Sequence, residues 1–253
     1  CFGICFVSTG RGGLRASMGG AAWVDVCQVQ FYIGVVVMLL VFLLVRHQQT
    51  KPSGGGGIGG FSALQRMPGW FPLTLAYGCF GFMYLLILGF LTTRLEDDSG
   101  WTSVDASVAF SMLGVAMIFG GPVLTTLAQR FGVRRILSVA FGLWPVFTVI
   151  LLSGITLPVW LACVGIGFLF SSLPSLITLY VVENTTTEDY GASFAAATLV
   201  FGIAQTISPP IGGWIADTAG SFTLVFLLSA VTSLVGLVAT LRLPRTGGLL
   251  KAE

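Results

Sequence analysis

Seven apolar blocks dominate the chain, at about 23–45, 71–93, 105–128, 135–153, 157–182, 192–215 and 222–242. Each is close to the ~20 residues that carry an α-helix across ~30 Å of hydrocarbon. In lipid the backbone must satisfy its own hydrogen bonds, so only helices and closed barrels cross. A barrel strand alternates apolar and polar positions over about ten residues. These blocks are apolar throughout, so helices are expected. The fold class that follows is all-α integral membrane, a polytopic helical bundle of about seven transmembrane helices. Composition excludes the alternatives: only 9% of the 253 residues are charged, against roughly 25% in soluble domains. That rules out a water-soluble enzyme and a disordered chain.

A formal net charge of +2, thinly scattered, gives no nucleic-acid surface. The five cysteines form no CxxC pair and the lone histidine is His47. No metal centre or cofactor is implied. The 34 glycines suit helices that pack closely in lipid.

The chain divides into a non-membrane segment over 1–22, a first span over 23–45, a linker over 46–70, a six-helix unit over 71–242 and a tail over 243–253. Gly54 to Gly60, interrupted only by Ile58, marks the linker as flexible. The chain begins with Cys1 and a glycine-rich stretch that lacks the features of a signal peptide. A fragment of a longer product is expected. Nine Lys and Arg residues fall on one side of the alternating spans and three on the other. The richer side is cytoplasmic by the positive-inside rule. Asn184-Thr185-Thr186, a formal glycosylation sequon, lands on that side and is expected to be silent.

No Asp, Glu, Lys or Arg lies deep in the last six blocks. Intramembrane ionisable residues usually mark proton relays and ion sites, so no proton wire and no catalysis are expected here. The informative polar groups are uncharged. Gln205 sits mid-span in Phe201-Gly202-Ile203-Ala204-Gln205. An amide in hydrocarbon needs a partner; a neighbouring helix and a substrate both qualify. Tyr77, Gly81 and Tyr84 share one helical stripe, and a polar cavity and an interfacial anchor both fit them. Pro209 and Pro210 remove helical hydrogen bonds and should kink their span. Gly121 with Pro122, and Gly213 beside Trp214, read as packing or bending points, and Asp217 follows the latter pair.

The segment Leu127-Ala128-Gln129-Arg130-Phe131-Gly132-Val133-Arg134-Arg135 resembles the major facilitator superfamily loop signature G-x-x-x-D-R-x-G-R-R. Arg130, Gly132, Arg134 and Arg135 match it, and Gln129 stands at its acidic position. The segment from Gly213 through Asp217 and Gly220 to Phe222 resembles the end of the eleventh helix and the start of the twelfth in that superfamily. Gly13-Leu14-Arg15 is similar to the segment before its sixth helix. The resemblance covers residues 12–245 and implies a sixth helix, a central linker and a C-terminal half of a major facilitator fold. Gly81-Phe82-Met83-Tyr84 with Gln205 and Pro209 is similar to YbfB/YjiJ-type transporters. Ser208-Pro209-Pro210-Ile211-Gly212-Gly213 is similar to monocarboxylate transporters, whose eighth-helix Asp/Arg pair has no counterpart over 105–128.

The resemblance implies transport of a small organic solute by alternating access, with two halves rocking about a central site. It implies Tyr77, Tyr84 and Gln205 as candidate cavity residues. Arg130, Gly132, Arg134 and Arg135 become the cytoplasmic gate loop, beside the plainer reading of positive-inside anchoring. The expected partners are the lipid bilayer, a small-molecule substrate and an N-terminal half, and the expected location is a plasma or inner membrane. A seven-span non-transporting protein and an inactive truncated transporter are the alternatives. The superfamily half is itself a pair of three-helix repeats. Between 71–153 and 157–242 no internal match stands out beyond equal span counts and a glycine-rich junction after each middle helix.

Overall fold

The structure, a computed structural model, describes residues 22–44 and 59–244. The expected N-terminal segment up to residue 21, the glycine run up to residue 58 and the tail beyond residue 244 lie outside them. The described elements are eight helices: α1 (Ala22–Leu44), α2 (Gly59–Arg66), α3 (Trp70–Asp97), α4 (Ser103–Phe131), α5 (Val133–Leu152), α6 (Thr156–Asn184), α7 (Thr187–Ala219) and α8 (Thr223–Leu241). The last six are long and apolar enough to cross a membrane. Helix α1 coincides with the first expected span and packs on no other described helix. Helix α2 is a departure from the expected linker. Its Ala63 and Leu64 are buried, as is Met67 just beyond it, and it packs on α7. Arg66 pairs with Asp189 of α7 at 3.2 Å.

The packing has an internal symmetry. Helix α4 packs most extensively on α6, and α3 on α7. Helix α3 also packs on α8, α5 on α6, and α5 on α8. Exchanging α3–α4–α5 with α6–α7–α8 leaves this pattern unchanged, which is the signature of a duplicated three-helix unit. The sequence does carry the match, against the expectation above. Pro72, Leu75, Ala76, Gly81 and Phe82 recur 86 positions later as Pro158, Leu161, Ala162, Gly167 and Phe168. Between the middle helices the offset is 88, pairing Ala109 with Ala197, Pro122 with Pro210 and Gly132 with Gly220. Burial follows the repeat: Leu73, Ala76, Phe80 and Met83 are buried, and so are Val159, Ala162, Ile166 and Leu169. These eight identities, scattered among conservative apolar replacements, are invisible to a search for whole-helix likeness.

The repeated glycines explain the closest helix approaches. A Cβ on Gly81 would lie 2.6 Å from the Phe201 carbonyl oxygen, and one on Gly167 would lie 2.1 Å from that of Leu113. Without a driving force from water, such close backbone contact is what holds helices together in lipid. Gly120 is similar, at 1.9 Å from the Phe168 carbonyl oxygen. Gly132 and Gly220 end α4 and α7 with φ of 92° and 65°, a region an L-residue with a side chain rarely adopts.

Serines tie the outer helix α8 to its neighbours. Trp144 Nε1 donates to Ser229 Oγ, which donates to the Met83 carbonyl, joining α5, α8 and α3. Ser233 Oγ donates to the Phe141 carbonyl. At the other end of the bundle Arg94 is only 4% exposed. Its Nη1 donates to Ser99 Oγ and its Nη2 to the Leu152 carbonyl at 2.9 Å. Asp98 accepts from Ser221 Oγ and from the Phe222 N–H, bracing the start of α8. Among the described residues Arg66, Arg130, Arg134, Arg135 and Arg242 lie at one end of the bundle and Arg94 at the other.

Candidate functional site

The contact between α3 and α7 brings the two strongest sequence candidates together. Gly81 lets α3 sit against the backbone of α7 at Phe201. One turn further along each helix, Tyr84 Oη donates to Gln205 Oε1 at 2.6 Å. Both residues are half-buried. The bond uses one donor and one acceptor. The Gln205 amide nitrogen makes no hydrogen bond to another described residue and remains a free donor. The prolines add acceptors: Pro209 and Pro210 carry no N–H, so the carbonyls of Gln205 and Thr206 lose their helical donors. Helix α7 nonetheless runs unbroken through both prolines.

Aromatic rings surround the pair. Tyr84 stacks on Phe201 with centroids 5.7 Å apart and on Phe80 at 5.1 Å, and meets Phe170 edge-on at 5.1 Å. Phe80 in turn meets Trp144 edge-on. Tyr77 is buried and stacks on Phe201 at 4.7 Å and on Phe194. It therefore forms a platform behind the pair and offers no open surface. Phe170, Phe80 and Trp144 were not singled out by the sequence reading. The repeat would have found Phe170, since it occupies in α6 the position of Tyr84 in α3. The residue equivalent to Gln205 is Met117. The polar pair thus exists in one repeat only, and its counterpart is apolar. One turn beyond Gln205, Ser208 is fully buried with no hydrogen-bond partner for its hydroxyl.

The other candidates fall elsewhere. Arg130, Gly132, Arg134 and Arg135 lie at the far end of α4 and the start of α5. Arg134 Nη2 donates to the Leu241 carbonyl at the end of α8. Gly121 faces Ser171 and Ser175 of α6, and its N–H donates to Ser171 Oγ at 3.0 Å. Pro122 lies within α4. Gly213 has nothing within 4 Å of a Cβ position; the tight contact belongs to Gly212, against Phe90 and Leu86. Asp217 sits in the last turn of α7, before the Gly220 cap. A cavity of about 580 Å³ lies beside Arg134 and Arg135, and one of about 520 Å³ lies on α4 around Ser111 and Phe119. Among the described residues, no group of three or more His, Cys, Asp or Glu side chains could hold a metal ion.

The sequence profile of the Major Facilitator Superfamily matches residues 73–252, most of the chain. The chain belongs to the major facilitator superfamily. It is 29% identical over 152 residues to the zinc induced facilitator-like protein 1 of Arabidopsis thaliana, covering 58% of this chain and 30% of that protein. It is 26% identical over 174 residues to the raffinose permease of Escherichia coli, covering 60% and 41%. Monocarboxylate transporter 12 of Rattus norvegicus is 26% identical over 162 residues, covering 62% and 32%. The matches thus span well under half of each curated relative. Among solved structures, the fucose:proton symporter of E. coli superposes with a TM-score of 0.66 at 20% identity, covering 90% of this chain and 58% of that one. A bacterial homologue of the human lysosomal transporter Spinster gives 0.55 at 13% identity, covering 94% and 64%. The fold is that of a major facilitator half, in an integral multi-pass membrane protein.

Proposed function

We propose that this chain forms one wall of a transporter that carries a small, neutral, hydroxyl-bearing organic solute by alternating access. The observation that carries the proposal is the Tyr84–Gln205 hydrogen bond on an open face within a cluster of aromatic rings. Flat aromatic faces cover the apolar side of a sugar-like ring, while the amide, the phenol and the proline-freed carbonyls satisfy its hydroxyls. The described site holds no charged side chain, so a carboxylate solute would draw its countercharge from elsewhere. The opposite wall comes from an N-terminal half, upstream in the same chain or on a separate subunit. That assignment is supported by the uncovered side of α7, where only 17% of the most apolar stretch is buried, against 56% for α3. The membrane is a plasma or inner membrane, with the arginine-rich end in the cytoplasm.

The test is uptake by the full-length protein. Gln205→Ala is expected to raise KM or cut uptake about tenfold, the effect of ~1.4 kcal/mol lost from a polar contact. Tyr84→Phe keeps the ring and should cost less. Unchanged kinetics in both variants would remove the pair from the site. Competition by a neutral sugar, with none from a monocarboxylate, is the expected selectivity.

A further inference from the structure

We propose that the cleft between the start of α5 and the end of α8 binds an acidic phospholipid of the cytoplasmic leaflet, with its phosphate on Arg134 and Arg135. The cleft has a volume of about 580 Å³, and both arginines line it together with Phe131, Ser138, Val139 and Leu241. Arg134 is fixed by its bond to the Leu241 carbonyl, and its other guanidinium N–H groups make no bond to a described residue. Arg135 is exposed and has neither a hydrogen bond nor an ion pair among the described residues. The ion pair seen there, Arg66 with Asp189, leaves both cations without a carboxylate. Two adjacent uncompensated guanidinium groups favour a ligand with net negative charge and phosphate geometry.

The rest of the cleft is apolar. Phe131, Val139 and Leu241 are each more than half exposed. Two stripes lead away from it into the span. Val139, Leu143 and Val146 follow one face of α5, and Leu241, Val238 and Leu234 follow one face of α8. Both sets have i, i+4, i+7 spacing. Val139 and Leu241 meet in the cleft, so the stripes start together and make a track for an acyl chain. A soluble anion has no use for that track. A zwitterionic lipid fits the track but gains little from the paired charges. The arginine-rich end faces the leaflet that carries anionic lipids.

The experiment follows thermal unfolding of the full-length protein in neutral detergent. Phosphatidylglycerol, phosphatidylcholine and inorganic phosphate are added separately. Phosphatidylglycerol should raise the midpoint by about 3–5 °C, and the other two should not. Arg135→Gln, which breaks no bond within the described structure, should lose at least half of that shift while keeping its midpoint in phosphatidylcholine. Val139→Trp fills the track and should lose it as well. Equal shifts from both lipids, or a full shift retained by Arg135→Gln, would overturn the proposal. The whole shift from inorganic phosphate alone would replace the lipid with a soluble anion.

Discussion

At the scale of the residue, the glycines repeated 86 positions apart decide how near the helices come. Gly167 meets the Leu113 carbonyl where a methyl group would collide with backbone, which cannot swing aside. Gly167→Ala should therefore force α4 and α6 apart and cost about 1–3 kcal/mol, read as a lowered midpoint in thermal unfolding of the full-length protein. Gly202→Ala is the control. Nothing lies within 4 Å of its Cβ position, and alanine is the better helix former, so its midpoint should hold or rise slightly. Gln205 and Tyr84 teach a related lesson. The sequence marks each as a polar group in hydrocarbon that needs a partner; it does not say that they partner each other. Their contact depends on Gly81 in one helix and on the register of another helix 121 residues away.

At the scale of the element, helix ends are held by groups from other helices. The loop after α3 supplies Asp98 to the first turn of α8, where the Phe222 N–H has no intrahelical acceptor. The side chain acts as an N-cap contributed from elsewhere in the chain. Asp98→Ala should cost about 0.5–2 kcal/mol, the usual worth of a cap, and Asp98→Asn should recover most of it. Comparing the unfolding midpoints of the two variants checks this. At the opposite end Arg134 gives the Leu241 carbonyl the donor that the end of α8 lacks. Neither contact could be read from local sequence, because each joins segments more than 100 residues apart. The linker shows the same limit. Gly59 and Gly60 suggest only flexibility, yet they begin a helix, because Leu64 and Met67 gain burial. A Cβ on Gly60 would lie 3.0 Å from the Ala192 carbonyl oxygen.

At the scale of the whole molecule, the alternating direction of α3 to α8 puts the loop over 98–102 and the turn at 220–222 together at one end, as the Asp98 bonds require. The turn at 185–186 and the start of α5 belong to the other end. Single cysteines at Ser221 and Glu188 should therefore label from opposite faces of the membrane with an impermeant maleimide. Labelling of both from one face would refute the topology. The two described native cysteines, Cys79 and Cys163, are buried and should contribute little background. Hydropathy marks each of the six long apolar helices, with ends up to five residues from the observed ones, because an apolar run of this length has no other stable state in lipid. The loop motif was legible for the same local reason, since its glycine and arginines are adjacent in sequence. The duplication was also written in the sequence, in a handful of small and proline positions, but it became readable only when burial showed which positions matter. What the tertiary structure alone decided is which polar groups meet. Helices in lipid are held by backbone proximity and a few hydrogen bonds. Those depend on rotation and register between distant segments, which the period of a single helix does not encode.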